Sequence, residues 1–134
     1  ILKGIQDVED ARLAVQSGAD VLVVSNHGGR QLDGAPSSIS ALPAIVEAVG
    51  SQIEVWMDGG VRSGQDVLKA WALGARGTMI GRAMAYGLGA AGEAGVTRAL
   101  QILHKELDVT MAFCGHTNIQ TVDRNILLPG TLPG

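Results

Sequence analysis

A single cysteine, Cys114, stands in 134 residues, so no internal disulfide framework is possible and a reducing compartment fits. Its plainest reading is a small buried hydrophobe late in a helix. The net charge is only −3, which leaves no electrostatic footprint for nucleic acid. No apolar run approaches the roughly 18 residues of a membrane span. No Gly-x-Gly-x-x-Gly follows a strand, so a dinucleotide fingerprint is missing. Three dispersed histidines and one cysteine do not make a metal site. What the chain does hold is 46% hydrophobic residues and 19 glycines. That suits one α/β domain with a real core and many tight strand–helix turns.

Taken in order, residues 2–5 read as a short strand. Asp7 has the character of a helix N-cap, with Glu9 and Asp10 in a first turn that favours acids. Val8, Ala11 and Val15 supply the apolar stripe, and Gly18 is a natural stop. Val21, Leu22, Val23 and Val24 form a strand of the doubly buried kind. A longer loop, residues 26–38, contains Pro36. Ala41, Leu42, Ile45, Val46 and Val49 then repeat at helical spacing before Gly50. Residues 53–57 are a third strand, and Ser63 with Asp66 has capping-box spacing. Val67, Leu68, Trp71 and Leu73 face a core, and Gly74 ends that helix. Residues 77–80 are a fourth strand. A long helix is marked by Val96, Leu100, Leu103, Leu107 and Met111, while residues 129–134 read as a flexible tail. Trp56 and Trp71 read as core residues, and His104 and His116 carry no assigned role.

Four strands alternating with helices imply a parallel sheet, either half of an eight-stranded barrel or half of a doubly wound sheet. Barrel logic explains where the polar residues fall. Lys3, Ser25 with His27, Asp58, and Gly81 with Arg82 all lie at or near strand C-termini, where barrels keep their sites.

The second strand breaks into Ser25-Asn26-His27-Gly28-Gly29-Arg30. Singly, His27 reads as a strand-end histidine, Gly28-Gly29 as a turn and Arg30 as a solvated charge. Together they offer a base that titrates near neutrality and a guanidinium fork for a carboxylate. The loops after the next two strands hold Asp58-Gly59-Gly60-Val61-Arg62 and Gly81-Arg82. Each pair alone reads as a plain turn. In consecutive strand–helix loops they suit a phosphate, which glycines admit to the backbone and two guanidinium groups neutralise.

The string Ser25-Asn26-His27-Gly28-Gly29-Arg30-Gln31-Leu32-Asp33 resembles the signature of the FMN-dependent α-hydroxy acid dehydrogenase and oxidase family. Glycolate oxidase, lactate oxidase, mandelate dehydrogenase and flavocytochrome-type lactate dehydrogenase belong to it. The likeness runs over residues 2–128. It implies the C-terminal half of a TIM (β/α)8 barrel, strands five to eight with their helices, across residues 1–134. It also implies FMN as cofactor and oxidation of an L-2-hydroxy acid such as lactate, glycolate or mandelate to the 2-oxo acid. His27 matches the family base and Arg30 its carboxylate clamp. Lys3 matches the lysine near the flavin N1/O2 edge, and Ser25 a serine that hydrogen-bonds the flavin. Asp58 would meet ribityl hydroxyls, while Gly59, Gly60, Val61, Arg62, Gly81 and Arg82 would hold the phosphate. Asn26 and Asp33 would orient the loop.

The likeness implies, as partners, an N-terminal half of the same barrel on a separate or nicked segment. Oxygen, a quinone or a cytochrome would accept the electrons, in a homotetramer or octamer. A cytoplasmic location is expected, with membrane association left open through the upstream loop that serves it in mandelate dehydrogenase. The chain departs from the family in lacking the half that supplies the substrate-contacting tyrosines, a second clamp and the aspartate behind the histidine. Tyr86 matches none of these, and Ala83 stands where many oxidases have proline. Ile1, within a strand, points to a piece of a longer chain. Two alternatives stay open: another phosphate-binding barrel, such as an IMP dehydrogenase-like enzyme or flavin-dependent isomerase, or a catalytically silent half-barrel.

Overall fold

In the computed structural model, which describes residues 1–130, four strands alternate with four helices. The expected flexible tail falls in part on residues 131–134, which lie outside the described residues. Strand β1 (Leu2–Ile5) leads to helix α1 (Val8–Gln16), and β2 (Val21–Val24) is followed by a 3-10 turn, His27–Gly29. Then come α2 (Ser38–Val49), β3 (Glu54–Asp58), α3 (Gly64–Ala72), β4 (Gly77–Met79) and α4 (Arg82–Phe113), with two 3-10 turns at Ile119–Thr121 and Arg124–Ile126. The strands are all parallel in the order β1-β2-β3-β4. This is half of a (β/α)8 barrel, as expected, because sequential parallel strands joined by helices curve one way only.

Local signals explain the element ends. Asp7 is extended and its side chain accepts from the Glu9 backbone N–H at 2.8 Å, giving α1 its cap. Ser63 and Asp66 form the reciprocal capping box that opens α3. The third strand begins one residue later than expected, at Glu54, and runs one further to Asp58. The larger difference is α4. It starts at Arg82, well before the expected Val96, and breaks at Ala91–Gly92, where Gly92 sits at φ +58. The two limbs fold back on each other where Gly87 meets Gly95. A Cβ at Gly95 would lie 1.9 Å from the Gly87 carbonyl oxygen. Glycine lowers helix propensity, which hides this segment from a periodicity reading.

The main core lies between the sheet and its helices. Leu22, Val24, Val55 and Met57 point to that side and pack on Ala11, Ala14, Leu42, Ile45, Val49, Ala70 and Leu73. A second cluster joins α3 to the C-terminal segment through Leu68, Ala72 and Val122, with Trp71, Leu107 and Met111 against it. The α3–α4 crossing is close. The Glu106 carboxylate accepts from the Gly64 backbone N–H at 2.9 Å, and a Cβ at Gly64 would lie 2.0 Å from the Leu107 nitrogen. Trp71 is half-buried, with the Arg76 guanidinium 4.9 Å from its ring centroid. Cys114 contradicts its expectation: it caps α4 and is exposed, because the last turn of that helix runs out into solvent. His104 is exposed as expected. Among the described residues, no helix is long and apolar enough to cross a membrane.

The other side of the sheet carries Lys3, Val23 and Trp56 in one row across the strands. The Trp56 ring lies over the Gly77 backbone, where an added Cβ would come within 2.8 Å of it. Because side chains alternate along a strand, Ser25, Asp58 and Met79 stand above that row on the same face.

Candidate functional site

Lys3 is not at a strand end, as expected, but inside β1 opposite Val23, just before a register shift at Gly4, which has φ +100. A glycine in this conformation lets the strand bulge without a Cβ conflict. The four-carbon lysine stem then climbs about two residue rises, ~7 Å, to the next level of the sheet. There its ammonium meets Asp58 Oδ2 at 2.7 Å and donates to Ser25 Oγ at 2.9 Å. Ser25 is 2% exposed and also accepts from the His27 backbone N–H at 3.1 Å. With two donors on its oxygen, its own hydroxyl hydrogen is free to donate elsewhere. Asp58 Oδ1 is buried and has no partner among the described residues. An orphaned carboxylate oxygen is costly to bury and marks a place for a donor.

Above this trio opens a cavity of about 520 Å³, inside the usual range for a cofactor or ligand pocket. Nine of the residues singled out from sequence line it: His27, Arg30, Asp58, Gly59, Gly60, Val61, Arg62, Gly81 and Arg82. Lys3 and Ser25 do not line it; they stand behind Asp58. Gly28 of the same motif also forms the wall, as do Met79 and Ala85, which were missed. Alternation along β4 from Gly77 is the signal that would have found Met79.

One end of the cavity is built for an anion. Gly59 and Gly60 have φ +93 and +80, a conformation that glycine adopts without strain. Asp66 Oδ2 accepts from the Arg62 and Ser63 backbone N–H groups, each at 3.0 Å, and so fixes the loop's exit into α3. Across from it, the first turn of α4 presents unpaired N–H groups, with no acid in that turn to compete. Arg62 and Arg82 are exposed, and neither they nor Arg30 form an ion pair among the described residues. The loop after β2 contributes His27, exposed, at φ +54, with Arg30 three residues on. Asp33 is exposed on the same loop and makes no hydrogen bond or ion pair among the described residues.

An FMN group fits these residues. Its phosphate would meet the glycine loop, Arg62, Arg82 and the α4 N-terminus, and its ribityl hydroxyls would satisfy the orphaned Asp58 oxygen.

The chain is similar to known proteins along most of its length. The profile of the FMN-dependent dehydrogenase family matches residues 1–129. The chain is similar to the L-lactate dehydrogenase of Caulobacter vibrioides, 56% identical over 127 residues, covering 95% of this chain and 33% of that protein. It is 52% identical over 125 residues to glycolate oxidase 5 of Oryza sativa, covering 93% of this chain and 34% of that protein. Among solved structures, a mandelate oxidase variant with the monooxide FMN adduct superposes with a TM-score of 0.88 at 51% identity. That match covers 92% of this chain and 39% of that one. The chain thus spans about a third of the curated relatives it matches.

Proposed function

The chain belongs to the FMN-dependent dehydrogenase family, and from that premise we propose that it forms the part of an enzyme that holds FMN and the base for oxidising an L-2-hydroxy acid to the 2-oxo acid. The observation that carries this reading is one cavity lined by His27, Arg30, the Gly59–Gly60 loop, Arg62 and Arg82. Asp58, whose Oδ1 has no partner among the described residues, lines the same cavity.

Bound there, FMN supplies a two-electron acceptor. The chain's own residues do the rest. Arg30 grips the substrate carboxylate through two parallel hydrogen bonds and so fixes which face of the α-carbon is presented. His27 takes the proton that oxidation releases. Lys3, steadied by Asp58 and Ser25, would supply a positive charge to favour the reduced, negatively charged form of the cofactor. Ser25 offers a hydroxyl hydrogen that no acceptor among the described residues takes.

The cradle can be tested apart from the chemistry. In the full-length enzyme, Arg62→Ala and Arg82→Ala should each weaken FMN by about tenfold or more while riboflavin, which has no phosphate, is scarcely affected. Flavin fluorescence titration of the apoprotein reads both affinities. Equal losses for the two flavins would remove the phosphate assignment.

Among the described residues the outer edges of β1 and β4 have no partner strand, which supports a companion in the proposal: four further strands that close the barrel against them. Residues 1–134 produced alone should show broad, uncooperative unfolding, and should gain cooperativity and FMN binding when that segment is supplied. A sharp two-state transition in the lone segment would count against the companion.

A further inference from the structure

Asn26 precedes the base, lines no part of the cavity, and spends every polar group on the loop around it. Its side-chain oxygen accepts from the Gly28 N–H at 2.9 Å, and its carbonyl accepts from the Gly29 N–H at 3.0 Å. Its own N–H donates to Ser38 Oγ at 3.2 Å, and its side-chain amide donates to the Pro36 carbonyl at 3.2 Å. Gln6 donates to the same carbonyl at 2.9 Å, so the far end of the loop is pinned from two strands.

This bracket encloses a strained segment. His27, Gly28 and Gly29 are consecutive left-handed residues, with φ 54, 67 and 71. Glycine tolerates that region, but a side-chain-bearing residue is strained there. Such a conformation persists only where the surroundings over-determine it. Asn26 supplies acceptors for the two N–H groups that follow His27, and Ser38, 2% exposed, holds Asn26 in turn. The bracket also touches the anion loop: a Cβ at Gly59 would lie 3.0 Å from Ser38 Oγ and 3.3 Å from Asn26 Oδ1.

We propose that Asn26, anchored by the Ser38 hydroxyl, is the positioning residue that holds His27 left-handed and sets where its ring stands relative to the cofactor loop. This rests on the reading of His27 as the base.

The test uses the full-length holoenzyme. Asn26→Ala should lower kcat by about 10–100-fold through misplacement of the base, with substrate KM and FMN affinity changed less than about threefold. Ser38→Ala should follow it, and Ser38→Thr, which keeps the hydroxyl, should restore the rate. Independently of turnover, amide hydrogen exchange at Gly28 and Gly29 in the apoprotein should quicken in Asn26→Ala and Ser38→Ala, while Leu22 and Val23 keep their protection. Three results would overturn the proposal. They are an unchanged kcat, unchanged exchange at the two glycines, or a parallel fall of kcat, FMN affinity and melting temperature, which marks a merely structural role. A normal rate of flavin reduction in His27→Ala would instead bring down the reading of the base. A slow His27→Ala beside a normal Asn26→Ala would bring down this inference alone.

Discussion

Replacing His27 by alanine in the full-length enzyme should leave FMN bound and slow its reduction by the hydroxy acid by about 10²–10⁴-fold, the usual worth of a positioned general base. The geometry separates the two effects. His27 lines the cavity from the loop after β2, while the anion cradle is made by the loops after β3 and β4. Its backbone N–H, not its ring, bonds Ser25, so alanine keeps that contact and the left-handed turn. Anaerobic mixing with substrate, followed by flavin absorbance, gives the rate directly. Arg30→Lys is the useful contrast: it keeps the charge, loses the fork, and should raise KM for the acid. A near-normal reduction rate in His27→Ala would refute the base, and an Arg30→Lys enzyme with unchanged KM would refute the clamp.

A large effect on stability is expected at Gly64→Ala. Here the added Cβ meets backbone, not a flexible side-chain end: the Leu107 nitrogen at 2.0 Å and the Glu106 carbonyl carbon at 2.4 Å. Neither can rotate away, so α3 and α4 must separate. That also pulls the Gly64 N–H from the Glu106 carboxylate. Overpacking of this kind costs about 3 kcal/mol, at the upper end of its usual range, before the lost charged hydrogen bond is added. Urea unfolding of the full-length variant should show a lower midpoint with an unchanged slope. An unaltered midpoint would mean that the two helices do not touch at Gly64.

The parts of this molecule legible in its sequence are those written in neighbouring residues. Asp7, Gly18, and the Ser63–Asp66 pair act within one helical turn, and each does what its spacing implies. The three loops of the site were legible because strand ends announce them. The Lys3–Ser25–Asp58 contact was not, since it depends on the pairing of three strands and on a bulge at Gly4. The first limb of α4 was hidden for a related reason. Gly87, Gly89, Gly92 and Gly95 argue against a helix locally, yet Gly87 and Gly95 are what allow the two limbs to meet. The run from Gly87 to Gly92 even has the spacing of a dinucleotide loop, but it lies within and at the break of α4, where no strand precedes it. Cys114 was misplaced because its apolar helical neighbours say nothing of how far the helix projects.

The parallel order of the strands bears on how the chain assembles. Leu2 pairs with Leu22 and Trp56 with Gly77, about 20 positions apart, whereas Val21 pairs with Glu54, 33 positions away. The excess is close to the length of the loop that carries His27 and Arg30. Closing the longer excursion costs only about 0.4 kcal/mol more chain entropy, because that cost rises with the logarithm of length. Folding therefore scarcely registers how long this loop is. Its length can change while the register of β2 on β3 stays where it is.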